Sequence, residues 1–387
     1  MKYKYELYNK LTKRQLEIAD CARRGFTDRE IANALDLSVF TVKSHLKNVY
    51  EKMGVSGRTE LAGLPDWHEV KVDKEPLEKY KQWKIEKELS FSPETVAYYE
   101  ALLAEHVRAD NLLGPHLVLN IVHHEAASLL GAVRGTRGAK RLQAVRLASR
   151  YEEFLGWLHQ DAGRLDLASV HTDRARDLST ELRDPQLTAY LLMRKSNIAS
   201  DLGDPALALA LANAASAQTI YLPRTDRAVI LRQKAHALAG LGDAHACADV
   251  IAEALEVVAD MKPDDAGIAS YCTIHYVAME AAACWLQLDR PQEALSAFMA
   301  TSRDWPPELH RDYGLYLARC ANAHAWVGEV STACKFAEQA IITIRQTASA
   351  RIMWELQRLA ERLSTWRTRP EVSAVLSAVT ILNGSII

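Results

Sequence analysis

Polar and basic side chains recur at helical spacing between positions 41 and 48 of the 387-residue chain. Because an α-helix turns once every 3.6 residues, these positions share one broad face of a helix. Their hydroxyl, ammonium and amide groups are suited to hydrogen-bonding base edges and phosphate oxygens of a nucleic acid. The face consists of Thr41, Lys43, Ser44, Lys47 and Asn48.

Apolar residues that precede this segment, together with those on the opposite side of the same helix, predict two helices that cross at a fixed angle. A helix-turn-helix needs such a crossing, since its second helix enters the major groove while the first crosses the DNA backbone. Ala32 is small enough to let the two axes approach closely. The apolar positions are Ile31, Ala32 and Leu35 on the first helix, and Val42, Leu46 and Val49 on the second, with Leu37 in the turn.

Capping residues predict four short helices between residues 11 and 64. Ser, Thr and Asn at helix starts, and Gly at helix ends, are typical boundary signals. The last of the four helices is predicted to follow Ser56. The signals are Thr12 with Gln15, Thr27 with Glu30, and Ser38 at the starts, and Gly25 and Gly54 at the ends.

Residues 11–64 resemble the LuxR/GerE family of helix-turn-helix regulators. The resemblance is carried by Leu11-Thr12, Arg14, Glu30-Ile31-Ala32, Leu35, Leu37-Ser38, Thr41-Val42-Lys43, His45, Lys52, Val55, Arg58 and Glu60. It implies binding to double-stranded DNA. The family usually carries this motif at its C-terminus, whereas here it lies at the N-terminus.

The same resemblance implies a role for particular residues. It implies base or groove contacts by Lys43, Ser44 and Lys47. It implies phosphate contacts by Thr27, Thr41 and Arg58. The helix from Ser56 to Leu64 is implied to be the dimer face of the DNA-bound form, which predicts a homodimer.

The charge distribution separates a basic head from an acidic body. Residues 1–64 carry an excess of four positive charges, although the whole chain has a net charge of −2. Residues 65–90 are rich in charged residues and contain Pro65 and Pro76, which predicts a partly helical linker. We therefore expect a DNA-binding domain over 1–64, a linker over 65–90 and a helical-repeat sensor domain over 91–387.

The six cysteines form no CxxC pair, and the chain has no apolar run long enough to span a membrane. The first residues also lack the apolar run of a signal peptide. We therefore expect a cytoplasmic protein with reduced cysteines and no membrane association.

An internal repeat occupies roughly residues 145–345. Its turn residues are spaced 39 to 47 residues apart, and they are Gly163, Gly203, Gly242, Asp289 and Gly328. Small residues recur five and twelve positions after each turn residue and seven positions before it. Small side chains at the same height along two paired helices let the helices pack closely and let neighbouring pairs stack. The pattern resembles tetratricopeptide repeats, and it predicts an all-α solenoid behind the helix-turn-helix domain.

The first helix of each pair is expected to face the concave surface of the solenoid. Aromatic, amide, Met and Arg side chains on such a surface suit an extended peptide. The residues predicted to bind a ligand are Glu153, Trp157, Tyr190, Met193, Asn197, Arg232, His236, Tyr276 and Asn322. The alternative interpretations are a groove filled by the protein's own packing and a dimer surface.

Two other segments are interpreted as structural. Neighbouring residues on a helix point in different directions, so His123-His124-Glu125 is predicted not to bind a metal. The segment 131–140 is predicted to be a basic loop between helices, because its glycines and Lys140 lack phosphate-loop spacing. We expect no cofactor and no enzymatic activity.

These observations favour a DNA-binding transcription regulator whose helical-repeat body senses a signalling peptide or protein. The architecture loosely resembles the peptide-pheromone-sensing regulators of bacteria, which also join a helix-turn-helix to tetratricopeptide-like repeats. The alternative is a scaffold whose repeats bind or dimerise with a protein partner, while the N-terminal domain localises it on DNA.

Overall fold

A computed structural model describes residues 11–23, 26–35, 37–62, 91–217, 222–259, 267–301, 305 and 309–386. The regular structure in these ranges is entirely helical, which confirms the predicted all-α fold. No helix within them is long and apolar enough to cross a membrane. The chain divides into two compact units, 1–87 and 88–387. The predicted linker over 65–90 and the helix end predicted at Gly25 lie outside the described residues.

The described residues of the first unit form four short helices around one apolar core. They are α1 (Lys13–Arg23), α2 (Asp28–Ala34), α3 (Val39–Met53) and α4 (Arg58–Ala62). Thr27 and Glu30 form a reciprocal capping box at the start of α2. The hydroxyl of Ser38 accepts a hydrogen bond from the Thr41 amide at the start of α3, and Gly54 ends that helix in the left-handed conformation.

The described residues of the second unit form seven antiparallel helix pairs that follow one another along the chain. The first three are α5 (Pro93–Leu113) with α6 (Pro115–Gly135), α7 (Gly138–Asp161) with α8 (Leu165–Ser179), and α9 (Pro185–Asp201) with α10 (Pro205–Ser216). The others are α11 (Arg224–Gly240) with α12 (Ala244–Ala259), α13 (Ile274–Gln287) with α14 (Pro291–Thr301), α15 (His310–Trp326) with α16 (Val330–Thr347), and α17 (Ala350–Leu363) with α18 (Pro370–Ile386).

The five predicted repeat turns share one backbone geometry. Gly163, Gly203, Gly242, Asp289 and Gly328 all have a positive φ, between +59° and +83°. The next residue in each case donates its amide hydrogen to a carbonyl five positions earlier, as from Arg164 to His159 and from Asp204 to Ala199. This is the Schellman arrangement, in which a left-handed residue closes the last helical turn and reverses the chain. Each of these first helices therefore ends two residues before the turn residue that the repeat pattern indicated.

The small residues of the repeat lie where the paired helices cross. All of those whose side chains are described are buried, including Ala168, Ala208 and Ala333, which have no exposed surface. A Cβ atom at Gly156 would lie 2.5 Å from the hydroxyl of Thr172 on α8. A larger side chain at these positions would therefore push the helices of a pair apart.

The sequence predicts a curved array, and in the structure the array curves enough for its ends to meet. Helix α5 packs against α15 and α16, some 200 residues further along the chain. At this contact a Cβ atom on Gly114 would overlap the backbone carbonyl of Thr347. Ser349 donates a hydrogen bond to Asp161 at 2.7 Å, which joins the start of α17 to the end of α7. The first helices of all the pairs consequently surround a common interior.

Replacing Ala208 with Leu tests the close packing of the pairs. Ala208 is fully buried at the crossing of α10 with α9, and its carbonyl accepts a hydrogen bond from Ser196 on α9. Inserting a larger side chain there should lower the free energy of unfolding by about 1–3 kcal/mol. Urea denaturation of the purified protein measures this loss.

The matched control is Ala210→Leu, because Ala210 is exposed on the same helix. This variant should unfold within about 0.5 kcal/mol of the unsubstituted protein. Equal losses in the two variants would contradict the packing role of the small residues.

Candidate DNA interface and candidate ligand cavity

The crossing of α2 and α3 is held by apolar side chains. Ile31, Val42 and Val49 have no exposed surface, and Ala32 and Leu46 are nearly fully buried. Leu35 and Leu37 pack against this cluster from its edge. Burial of this set fixes the angle between the two helices and so the direction in which the opposite face of α3 projects.

The opposite face of α3 is exposed, as a groove-binding helix requires. Lys43, Ser44, Lys47 and Asn48 are exposed side chains on it. Thr41 is half-buried, and its hydroxyl hydrogen-bonds to that of Ser38 at 2.7 Å. The arrangement presents two cations and two neutral hydrogen-bonding groups on a single helical surface.

The two other residues predicted to contact phosphate hold the domain together. The Thr27 hydroxyl donates to Glu30 at 2.8 Å, and the hydrogen bonds from Thr27 lower the pKa of the Glu30 carboxyl. The Arg58 guanidinium donates to the Phe26 carbonyl and to the Asp28 carboxylate, and so joins α4 to the start of α2. Contacts of Thr27, Thr41 and Arg58 with phosphate remain predictions.

The sequence analysis did not single out Phe40, whose side chain is 82% exposed at the start of α3. An exposed aromatic ring beside a polar recognition face could contact the methyl group of thymine. The sequence already indicated that Phe40 is exposed, because this residue precedes Thr41 and falls outside the apolar pattern of α3.

The first helices of the pairs in the second unit enclose a cavity of about 570 Å³. Its lining comes from α5, α7, α9, α11, α13, α15 and α17, together with the residues just before α13. Six of the nine residues predicted to bind a ligand line this cavity: Glu153, Trp157, Tyr190, Asn197, Arg232 and Tyr276. Their functional role stays a prediction.

The remaining three predicted residues lie elsewhere. His236 and Asn322 line a second, more polar cavity of about 420 Å³, which Asn197 also borders. Met193 lines neither cavity; it has no exposed surface and packs in the apolar core between α9 and α11. Its position on α9 is therefore a packing position in this structure, because the side chain points between helices rather than into the interior.

Charged side chains, namely three arginines and one aspartate, surround Trp157 at the wall of the larger cavity. The guanidinium groups of Arg194, Arg311 and Arg351 lie 4.9–5.1 Å from its ring centre. Its indole N–H donates to the carboxylate of Asp110 at 2.9 Å. Arg311 also contacts this carboxylate, and both charged side chains are at most 5% exposed. The pair joins α5 to α15 and closes the array.

A second buried network lies beside the smaller cavity. The His236 imidazole donates to Glu280 at 2.7 Å, and Arg319 donates to the other oxygen of the same carboxylate at 2.8 Å. Burial alone would raise the pKa of Glu280, but Arg319 and His236 hold it well below its usual range. Burial lowers the pKa of His236, so a neutral imidazole hydrogen-bonds to an ionised carboxylate.

Three arginines that line the larger cavity have an Nε atom without a hydrogen-bond partner among the described residues, and one of them, Arg311, is already paired with Asp110. The Nε atoms of Arg150 and Arg232 are buried without a hydrogen-bond partner among the described residues. Arg232 donates its other hydrogens to neutral groups, Gln233 at 2.8 Å and Tyr276 at 3.2 Å. In total six arginines and four carboxylates line the cavity, so its lining has an excess of positive charge.

Away from both cavities, His123, which the sequence analysis predicted not to bind a metal, lies beside His159 and His171. The three histidines come from α6, α7 and α8. No local motif could indicate this group, because its members are separated by 36 and 12 residues.

The two units thus define a helix-turn-helix domain followed by a tetratricopeptide-like α-solenoid. Residues 9–64 match the family described as bacterial regulatory proteins, luxR family. The chain is 40% identical over 60 residues to the response regulator protein VraR of Staphylococcus saprophyticus and to that of Staphylococcus aureus. Those matches cover 16% of this chain and 29% of each relative. The N-terminal unit therefore carries a LuxR-type helix-turn-helix domain.

The fold of most of the chain is similar to that of a solved structure. The crystal structure of a Rap protein complexed with competence and sporulation factor aligns with a TM-score of 0.51 at 12% identity. The alignment covers 81% of this chain and 93% of that one. At this identity the similarity concerns the fold alone.

Replacing Arg311 with Met tests the ion pair that closes the array. The substitution leaves the carboxylate of Asp110 buried without its cation, and it also removes the cation 3.8 Å from Asp161. We expect a loss of about 3–5 kcal/mol in the free energy of unfolding at neutral pH.

Arg108→Met is the matched control, because Arg108 pairs with Glu105 on α5 with more than 60% of both side chains exposed. It should cost about 0–1 kcal/mol. Urea denaturation of both variants measures the difference, and an Arg311 variant as stable as the control would show that closure does not depend on this pair.

Proposed function

We propose that this protein is a DNA-binding transcription regulator whose α-solenoid binds a short peptide through a carboxylate group and thereby changes DNA affinity. The observation that carries the proposal is the pair of arginines, Arg150 and Arg232, with unpartnered Nε atoms in the interior cavity. A guanidinium binds a carboxylate with two parallel hydrogen bonds, and this binding strengthens when water is excluded.

The first unit supports DNA binding through α3. Lys43 and Lys47 project from an exposed face whose opposite side is buried against α2. A helix with this arrangement can enter the major groove while its domain stays folded. We propose that Lys43, Ser44 and Lys47 contact bases or the groove, and that Thr27, Thr41 and Arg58 contact phosphates. Homodimerisation through the segment from Ser56 to Leu64 belongs to the same proposal.

The dimensions of the cavity favour a small ligand over a folded protein. A volume of about 570 Å³ falls in the usual range for small-molecule pockets, and a few peptide residues would occupy it. Tyr190, Tyr276 and Trp157 supply aromatic surface, while Asn197 supplies an amide that can hydrogen-bond to a peptide backbone. The Rap protein of similar fold is described as complexed with competence and sporulation factor, which agrees with a ligand-binding role for this fold.

Coupling between ligand and DNA requires that the ligand favour one arrangement of the protein. The interior is enclosed by helices from both ends of the array, so a ligand that contacts α7 and α11 can alter how the ends meet. A tenfold change in DNA affinity corresponds to about 1.4 kcal/mol of coupling free energy. The scaffold interpretation differs, because it predicts a stable protein partner and no effect of small ligands on DNA binding.

Lys43→Ala and Lys47→Ala test the DNA interface. Each substitution should weaken binding by about 1–3 kcal/mol if the lysine contacts a base, because the hydrogen bonds and the charge are both lost. The probe is a duplex selected by the unsubstituted protein from a random pool, and gel shifts at one fixed salt concentration measure affinity.

Lys140→Ala is the charge-matched control, since Lys140 is exposed in the second unit. It should leave the affinity unchanged. Full affinity of the Lys43→Ala, Lys47→Ala double variant would contradict the assignment of α3 as the recognition helix.

Arg150→Gln combined with Arg232→Gln tests the ligand cavity. The purified protein is incubated with a pool of random pentapeptides, and the retained peptides are identified by mass spectrometry after gel filtration. We expect the unsubstituted protein to retain peptides with free carboxylates and to lose them when the pool is amidated, because the arginines then lack an anionic partner. The double variant should bind the retained peptides at least tenfold more weakly.

Arg146→Gln is the matched control, because Arg146 also lines the cavity but is paired with Asp184 at 2.6 Å. It should retain the same peptides. Equal binding of amidated and free peptides would contradict the proposed role of the two arginines. Copurification of a protein partner, with no effect of peptides on DNA binding, would favour the scaffold interpretation.

A further inference from the structure

Three imidazole rings from three consecutive helices converge near one end of the solenoid. His123 lies on α6, His159 on α7 and His171 on α8. One candidate ligand nitrogen from each ring lies within 4.8 Å of those of the others. The Nε2 atoms of His123 and His159 are 3.1 Å apart, and the rings of His159 and His171 stack with centres 5.1 Å apart.

A buried carboxylate orients one of these rings. The Nδ1 atom of His171 donates to Glu152 at 2.7 Å, and the Glu152 side chain is 2% exposed. This hydrogen bond places the proton on Nδ1 and leaves a lone pair on Nε2. Metal-ligating histidines commonly have such a carboxylate partner, which sets the tautomer and increases the basicity of the coordinating nitrogen.

The environment also keeps the rings of His123 and His159 in their uncharged form. Burial and the neighbouring His171 lower the pKa of His123, and burial together with the two other histidines lowers the pKa of His159 to about 4. At neutral pH each of these two rings therefore has a lone pair available. Metal binding does not have to compete with a proton at these nitrogens.

A hydrogen-bonded histidine cluster without metal is the simpler interpretation, but it leaves the group incompletely satisfied. His159 is 3% exposed, and its Nδ1 atom has no hydrogen-bond partner among the described residues. In the hydrogen bond between His123 and His159, one Nε2 atom donates and the other accepts. If the donated proton moves to the Nδ1 atom of its own ring, each Nε2 atom has a lone pair, and a cation can replace the hydrogen bond.

One nitrogen separation already fits a transition-metal ion, and the stacked rings of His159 and His171 must turn before both of their lone pairs can point at it. Zinc binds imidazole nitrogen at about 2.0–2.1 Å in tetrahedral geometry, which places neighbouring ligand nitrogens about 3.3 Å apart. The observed separation of 3.1 Å between His123 and His159 is close to this value. All-nitrogen coordination favours zinc, copper or nickel over calcium and magnesium, which prefer oxygen ligands.

We propose that His123, His159 and His171 bind one divalent transition-metal ion of the zinc class, with Glu152 as the partner that orients His171. His123 is half-buried and gives the ion a route from solvent, and the fourth coordination position is open to water. The ion joins the first helix pair to the second, because its ligands come from α6, α7 and α8. Helix α7 also carries Glu153 and Trp157 into the interior cavity, so the metal stabilises one wall of that cavity.

Titration of the full-length, tag-free protein with Co²⁺ tests this site. The metal-depleted protein should bind one equivalent, with the visible absorption of four-coordinate cobalt, and Zn²⁺ should displace it. His123→Gln should weaken Co²⁺ binding at least tenfold. His124→Gln is the matched control, because the neighbouring His124 is exposed and outside the cluster; it should bind like the unsubstituted protein.

Thermal unfolding separates loss of the site from loss of the fold. In EDTA, the His123 variant should unfold at the same temperature as the unsubstituted protein, and added Zn²⁺ should raise the unfolding temperature of the unsubstituted protein alone. X-ray absorption of the zinc-loaded protein provides a test that needs no variant, and it should report three imidazole ligands. Failure to bind an equimolar metal ion, equal binding by the two variants, or a shell of oxygen ligands would each overturn the proposal.

Discussion

The close approach of paired helices is the constraint on which the second unit depends. Alanine, glycine and serine at the crossings remove the side chains that would hold the axes apart, so the pairs are thin and stack with a regular rotation. Since five of the seven described pairs turn at a left-handed residue in the same place, their first helices all lie on the same side. Curvature and a shared interior follow from this repetition.

Closure of the array adds a feature that repetition alone does not produce. The pair formed by Asp110 and Arg311 is withdrawn from water at the contact of α5 with α15, and Trp157 packs beside it. Burying two charges is unfavourable unless both are well paired and hydrogen-bonded. The indole N–H of Trp157 and the amide oxygen of Asn111 provide such additional partners. The closed arrangement therefore has a specific contact that an open array would lose.

Helix α7 connects three features that the sequence presents separately. It contributes Trp157 to the wall of the larger cavity, Asp161 to the closing contact and His159 to the histidine cluster. A ligand or ion that shifts α7 would act on all three at once, because packed helices move as units rather than residue by residue. A proposed signal from the interior to the ends of the array would have a physical route through this helix.

The sequence by itself determined the local features: the caps at Thr27 and Ser38, the buried and exposed faces of α3, and the repeat with its turns at Gly163 and Gly203. These depend on the spacing of nearby residues, which a helix converts directly into geometry. Six of the nine residues predicted on the concave face line the larger cavity, since the first helices share one register. His236 and Asn322 line the smaller cavity instead, and Met193 lies in the core, because a rotation of about one residue position on α9 decides between the interior and the core.

Tertiary structure alone decided the long-range features. The meeting of Asp110 with Arg311 spans 201 residues, and the histidine cluster draws on three helices whose ligands have no local spacing. Such contacts depend on the cumulative rotation from one pair to the next, and a small change per pair moves distant residues by many ångströms. The unpartnered nitrogens of Arg150 and Arg232 are likewise visible only once the interior is enclosed, because hydrogen bonds between helices are not encoded in neighbouring residues.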